Sequence, residues 1–207
     1  MAEELPEVIL RRLPKYRELA AGLEAEGWHH LTSQDIARAT EIDALTVRKD
    51  LSIINVTGRR NYGYEVGELV RGIDRLLGWD KPHRIALVGE AKMMQTLLAV
   101  FPLARYNIQP ECVVEGNTYE GPDRVGDIPI YRVDDFLARQ KAGEPVKTVL
   151  FWVLIGRAQR AADKLVESGV KVFWNFSQNS VYVPEGVSVV EASLIGDLAV
   201  LSYEAMK

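Results

Sequence analysis

A change in hydrophobic period near residue 80 constrains this chain more than any other feature of its sequence. Before that point apolar residues return at helical intervals, and after it short continuous apolar runs alternate with helical stretches. A strand covered by helices on both faces must be apolar along its whole length, so the second pattern predicts a parallel α/β sheet. The runs fall at 85–88, 112–114, 128–131, 148–154, 170–173 and 187–190, with helices expected at 93–101, 134–141 and 157–168. A last helix is expected at 194–206, where Leu194, Leu198, Leu201 and Ala205 form a stripe. The chain is thus read as two domains, 1–80 and 81–207, and 207 residues suffice for each to bury a core.

In the first domain Ile9, Leu13, Tyr16, Ala20 and Leu23 make one apolar face, with a kink expected at Pro14. Thr32 and Asp35 read as a capping box for a short helix carrying Ile36 and Ala37, and Asp43 reads as the next N-cap. The helix after Asp43 puts Ala44, Val47 and Leu51 on one side, leaving Leu45, Thr46, Arg48, Lys49 and Ser52 outward. Two short helices joined this closely predict a helix-turn-helix. The β-formers and turn residues of 53–64 predict a hairpin, or wing, and a helix ending near Gly78 closes the unit.

Charge is unevenly placed. The chain carries −4 overall, which argues against a protein that coats nucleic acid without regard to sequence. Between 44 and 64, however, Arg48, Lys49, Arg59 and Arg60 are opposed only by Asp50. A helix that enters the major groove needs side chains for base edges and cations for phosphates, and a wing adds arginine beside it. Winged helices also serve as protein-binding modules, and the residues alone leave both uses open.

The remaining candidates for chemistry are weak. The single Cys112 has no partner for a disulfide and no Cys/His grouping with zinc spacing, so a reducing cytoplasm is expected and no metal. No apolar run is long enough for a membrane span. His83 stands before the first strand of the sheet, away from the strand ends where chemistry occurs, and His29 and His30 lie in a loop. Trp152 and Trp174 read as core, and Ser177 and Ser180 lack a nucleophile elbow. No catalytic residue is expected; a small NAD-dependent oxidoreductase is the enzyme reading set against this.

The segment Val47-Arg48-Lys49-Asp50-Leu51-Ser52, followed by a Gly-Arg turn and Gly63-Tyr64, resembles the recognition helix and wing of the Rex family of redox-sensing transcriptional repressors. The likeness extends through Ile85-Ala86-Leu87-Val88-Gly89, the stretch 157–163, Asn175-Phe176 and the final helix. It implies a Rossmann-type second domain, a homodimer that exchanges its C-terminal helix, palindromic operator DNA as partner, and response to NADH and NAD⁺. Carried over by position, Thr46, Arg48, Lys49, Ser52, Arg59 and Arg60 become DNA contacts and Asp50 orients a basic neighbour. Gly89, Glu90, Ala91, Lys92 and Met93 become the NAD(H) turn, and Glu115 the ribose-binding acid.

Departures are specific. The dinucleotide fingerprint uses three glycines: for a tight turn, for approach to the pyrophosphate, and for helix packing on the strand. Here only Gly89 remains, and Ala91 and Met94 stand at the other two places. Glu90 brings a negative charge to the helix start, partly offset by Lys92. Ile54-Asn55 and Arg60-Asn61 alter the wing's approach and its glycine pattern, while Ser193 and Phe101 replace an acid and a tyrosine of the switch. A paralogue that binds DNA without an NADH response, or with another nucleotide, is the alternative this leaves.

Overall fold

The computed structural model describes residues 5–60, 62–143, 145–154, 156–192 and 194–207. The chain forms two compact units divided between Lys81 and Pro82.

In the first unit, α1 (Glu7–Ala25) is one continuous helix through Pro14 and buries Ile9, Leu13, Tyr16 and Ala20. After β1 (His30–Leu31) come α2 (Ser33–Thr40) and α3 (Ala44–Ile53), then β2 (Tyr64–Glu65) and α4 (Val66–Leu77). Thr32 and Asp35 close a reciprocal capping box on α2, and the Asp43 carboxylate accepts from the amides of Leu45 and Thr46 at the start of α3. These side chains satisfy amides that a helix start leaves without partners. Gly78, left-handed at φ 73°, ends α4. Ile36, Val47, Leu51, Leu69 and Ile73 complete a core with α1.

The wing is smaller than the hairpin expected over 53–64. Ile53 is the last residue of α3, and the only pairing inside the segment, among the described residues, joins Arg59 to Gly63. The strand ladder is instead between β1 and β2, with Leu31 opposite Tyr64. Burial explains the difference: Ile54 and Val56 turn into the core and so cannot line a free-standing ribbon.

In the second unit β3 (His83–Gly89), β4 (Ile108–Glu115), β6 (Ile128–Arg132), β7 (Thr148–Trp152), β8 (Val172–Asn175) and β9 (Ser188–Glu191) lie parallel. The sheet order is β5-β6-β4-β3-β7-β8-β9, with the short β5 (Arg124–Val125) antiparallel at one edge. Leaving β5 aside, this is the doubly wound dinucleotide-fold order, with its switch point between β3 and β7. One face is filled from α6 (Val133–Ala142) and α7 (Ala158–Glu167) by Phe136, Ala162 and Leu165. The other is filled from α5 (Ala91–Val100) by Met94 and from the following 3-10 turn by Leu103.

On that second face cover runs out toward β9. Leu150 is buried, its neighbour Trp174 is half-buried, and Val190 beyond it is 49% exposed. Trp152, Trp174 and Phe176 pack on one another there, with ring centroids 5.5 and 4.6 Å apart. The final helix α8 (Leu194–Glu204) buries nothing: every residue from 194 to 207 is exposed. Among the described residues no helix is long and apolar enough to cross a membrane.

Candidate nucleic-acid interface and nucleotide turn

Helix α3 owes its position to a carboxylate on its inner side. Asp50 is 2% exposed. Its two oxygens accept from Arg12 Nε and Nη2 at 2.7 Å each, and Oδ2 also accepts from Tyr16 Oη at 2.8 Å. Both donors belong to α1, so this three-way contact ties α3 to the long helix behind it. The hydrogen bond to Asp50 raises the Arg12 pKa, while burial and then the same carboxylate push the Tyr16 phenol well above its usual range. Asp50 thus orients a basic group, but it is Arg12 rather than the adjacent Arg48 or Lys49.

The outer side of α3 carries the residues expected there: Leu45, Arg48, Lys49 and Ser52 are exposed and Thr46 is half-buried. Arg48 Nη1 reaches Ser33 Oγ on α2 at 3.3 Å, and Ser52 Oγ donates to the Lys49 carbonyl at 2.6 Å. The wing turn is closed by Arg59 N to Gly63 O at 2.7 Å and Gly63 N to Arg59 O at 2.9 Å. Gly63 has φ +81°, and a Cβ there would lie 2.2 Å from the Leu31 carbonyl oxygen, so β1 approaches too closely for any side chain. Asn55, which stands where the family places glycine, is also left-handed at φ 55°, a conformation asparagine tolerates. That departure therefore leaves the turn intact; Asn61 lies outside the described residues.

Helix and wing meet around Tyr64. Burial raises its phenol pKa, the nearby Arg48 charge pulls the other way, and the ring packs beneath Gly58 at the base of the wing. Exposed Arg59 and Arg60 follow directly. Among the described residues no carboxylate lies within ion-pair distance of Arg48, Lys49, Arg59 or Arg60, whereas Arg12, Arg17 and Arg71 are paired with Asp50, Asp74 and Glu65.

At the switch point of the sheet, Gly89 ends β3 with φ +154°, and a Cβ there would meet the Trp152 carbonyl oxygen at 2.4 Å. Ala91, 6% exposed, opens α5, and Met94, fully buried, places its Cε 2.8 Å from where that Cβ would be. Met94 therefore fills the gap between helix and strand that a fingerprint glycine would leave narrow. Glu90, Lys92 and Met93 are exposed. Glu115, at the end of β4, accepts from Ala91 N through Oε2 at 2.6 Å and from Gly116 N through Oε1 at 2.9 Å.

The other candidates hold structural places. Cys112 is buried and its thiol is pushed up to about 12, chiefly by burial. His83 opens β3 with Nε2 3.1 Å from Thr148 Oγ1, His30 belongs to β1 with its ring 5.8 Å from that of Tyr62, and Ser177 Oγ accepts from Val153 N at 3.0 Å. Among the described residues no grouping of His, Cys, Asp and Glu is placed to hold a metal.

Two family models match the chain: "Putative DNA-binding protein N-terminus" over residues 4–52 and "CoA binding domain" over residues 80–179. The redox-sensing transcriptional repressor Rex of Porphyromonas gingivalis is 34% identical, over 99% of this chain and 93% of its own length. Its namesake from Lactococcus lactis is 32% identical over 98% of this chain and 94% of its own. The chain belongs to the Rex family of redox-sensing transcriptional repressors. In fold it matches the crystal structure of RSP in complex with beta-NAD⁺ and operator DNA, with a TM-score of 0.85, 24% identity and coverage of 98% of this chain and 93% of that one. RSP in complex with beta-NADH gives 0.82, covering 98% and 95%.

Rex proteins are transcriptional repressors, not enzymes. Their dinucleotide is the group the family implies for the turn after β3, where Ala91 and Met94 stand at two fingerprint positions. Ala91 presents a methyl group, and its amide is already bonded to Glu115. Glu90 adds a second carboxylate at the same helix start. Of the switch positions, Phe101 caps the end of α5 and packs 5.7 Å from Trp174 without a hydroxyl to bond, and Ser193 lies outside the described residues. The Arg12–Asp50–Tyr16 contact and the bond from Ala91 to Glu115 escaped the sequence reading, because each joins residues more than 20 positions apart.

Proposed function

We propose that this Rex-family chain is a cytoplasmic repressor that binds double-stranded operator DNA as a homodimer, with 1–80 reading DNA and 81–207 joining the subunits. One observation carries the reading: Arg48 and Lys49 on α3 and Arg59 and Arg60 on the wing are exposed and free of acidic partners among the described residues. Thr46, Arg48, Lys49 and Ser52 face the groove, and Arg59 and Arg60 the neighbouring backbone. The RSP complex with operator DNA supports this use of the fold.

The dimer rests on two apolar surfaces that lack cover within one chain. Helix α8 exposes Leu194, Leu198 and Leu201 at 54, 55 and 65%, and the sheet face at Trp152, Trp174 and Val190 is left open. An exchanged helix covers both at once, and two-fold symmetry then supplies two recognition helices for a palindrome. NAD(H) is the ligand of the RSP structures; in this chain its turn is weakened by Ala91 and Met94.

Fluorescence anisotropy on palindromic promoter DNA tests the function. Binding should weaken steeply with salt, as release of counterions from phosphates requires. Absence of salt-dependent affinity for every promoter duplex would favour the protein-docking use of the winged helix. Deleting residues 194–207 should leave monomers in sedimentation velocity; a persisting dimer would place the subunit contact elsewhere.

A further inference from the structure

The geometry points to Glu115 as the resident anion of α5, a carboxylate that closes the turn after β3 to a dinucleotide and leaves operator binding indifferent to NADH. The inference rests on the repressor reading and asks what its second domain answers to. In a dinucleotide fold the acid at the end of the second strand holds ribose hydroxyls, and the open first turn of the helix receives the pyrophosphate. Here one carboxylate is drawn onto the helix. Glu115 Oε2 lies 2.6 Å from the amide of Ala91, the first residue of α5, and Oε1 takes the Gly116 amide at 2.9 Å. Both oxygens are thus engaged by backbone donors.

Three neighbouring features hold the turn in this state. The Ala91 methyl is buried where a glycine would let phosphate approach the backbone. Met94, fully buried, fills the space beside Gly89. Glu90, the N-cap of α5, makes no side-chain cap of its own and leaves its carboxylate exposed at the same end. A pyrophosphate would therefore displace one carboxylate and sit beside another, with Lys92 the only cation in the turn sequence 89–94 to offset them. The positive end of a helix stabilises one such anion well, and the chain supplies it from within.

The reading reverses the sign of a substitution. If Glu115 held ribose, Glu115→Gln would weaken NADH binding; as resident anion, its loss admits the ligand. The test is isothermal titration of the full chain with NADH and with NAD⁺, run on wild type, Glu115→Gln and Glu115→Gln/Ala91→Gly. Wild type should give no saturable binding up to about 1 mM, Glu115→Gln should bind NADH at least about tenfold more tightly than wild type, and the double variant tighter still. Wild-type affinity for NADH better than about 100 µM, or weaker binding in Glu115→Gln, overturns the inference. So does a double variant that unfolds at the wild-type temperature yet gains nothing. Operator anisotropy on the same samples, with and without NADH, keeps the two readings apart. Loss of DNA binding in wild type sinks the repressor while the titration still stands, and release of DNA by NADH sinks the closed turn alone.

Discussion

In the first unit α3 has its opening amides capped by its own Asp43 and turns Arg48 and Lys49 outward without acidic partners among the described residues. In the second unit α5 has its first amide taken by Glu115 from another strand, and its exposed N-cap is a further carboxylate. Both helix starts are met by a carboxylate of the chain itself; what differs is the cationic side chains beyond it, which α3 leaves exposed in Arg48 and Lys49, whereas α5 adds the second carboxylate of Glu90. Fold and family fix where a phosphate would go; the charge actually present at each place governs whether it is welcome.

The largest effect should come from removing what holds the open region in place. Asp50→Ala takes away a buried carboxylate shared by Arg12 and Tyr16, and should destabilise the first unit by about 3 kcal/mol, the lower range for breaking a buried pair because Arg12 keeps some access to water. Denaturant unfolding followed in the first unit measures it; a loss near zero would mean that α3 is fastened by its apolar contacts alone. Next in size, Arg48→Ala and Arg59→Ala should each weaken operator binding by about 1–2 kcal/mol and make the log-log salt slope shallower by about one, with unfolding unchanged. An unaltered slope for either would remove that side chain from the phosphate contacts.

Smaller effects compare the caps. Thr32→Ala should cost about 1 kcal/mol by opening the capping box of α2. The Asp35 carboxyl is held below its usual range, first by the Thr32 hydroxyl and then by the Thr32 amide. Its contribution is therefore complete above about pH 4 and fades as pH falls below that, so the wild-type advantage over Thr32→Ala should shrink in acid unfolding. Glu115→Gln, which keeps an oxygen but loses the charge, should lower the stability of the second unit by at most about 1 kcal/mol. No loss at all would argue that the carboxylate does not brace α5.

Much of this was written in local pattern. The stripe of α1, the Thr32 and Asp43 caps, the outward set on α3 and the succession of buried strands follow from spacings of two to four residues. The two-residue strands β1 and β2 are too short to show alternation, so the hairpin was expected within 53–64 when Tyr64 in fact pairs back to Leu31. Neither the clamp on Asp50 nor the capture of Ala91 by Glu115 leaves a periodic trace, since each depends on where separate elements meet. Ala91 and Met94 at two fingerprint positions are visible in the sequence, whereas the bond from the Ala91 amide to Glu115 appears only once β4 is laid beside β3.

The clamp on Asp50 has a bearing on how such a regulator could change its targets. Since α3 is anchored from behind by Arg12 and Tyr16, and inward by Val47 and Leu51, its hold on the scaffold does not depend on the exposed Lys49 side chain. If α3 reads DNA as proposed, exchanging the exposed Lys49 would alter the promoter sequence preferred without loosening the scaffold.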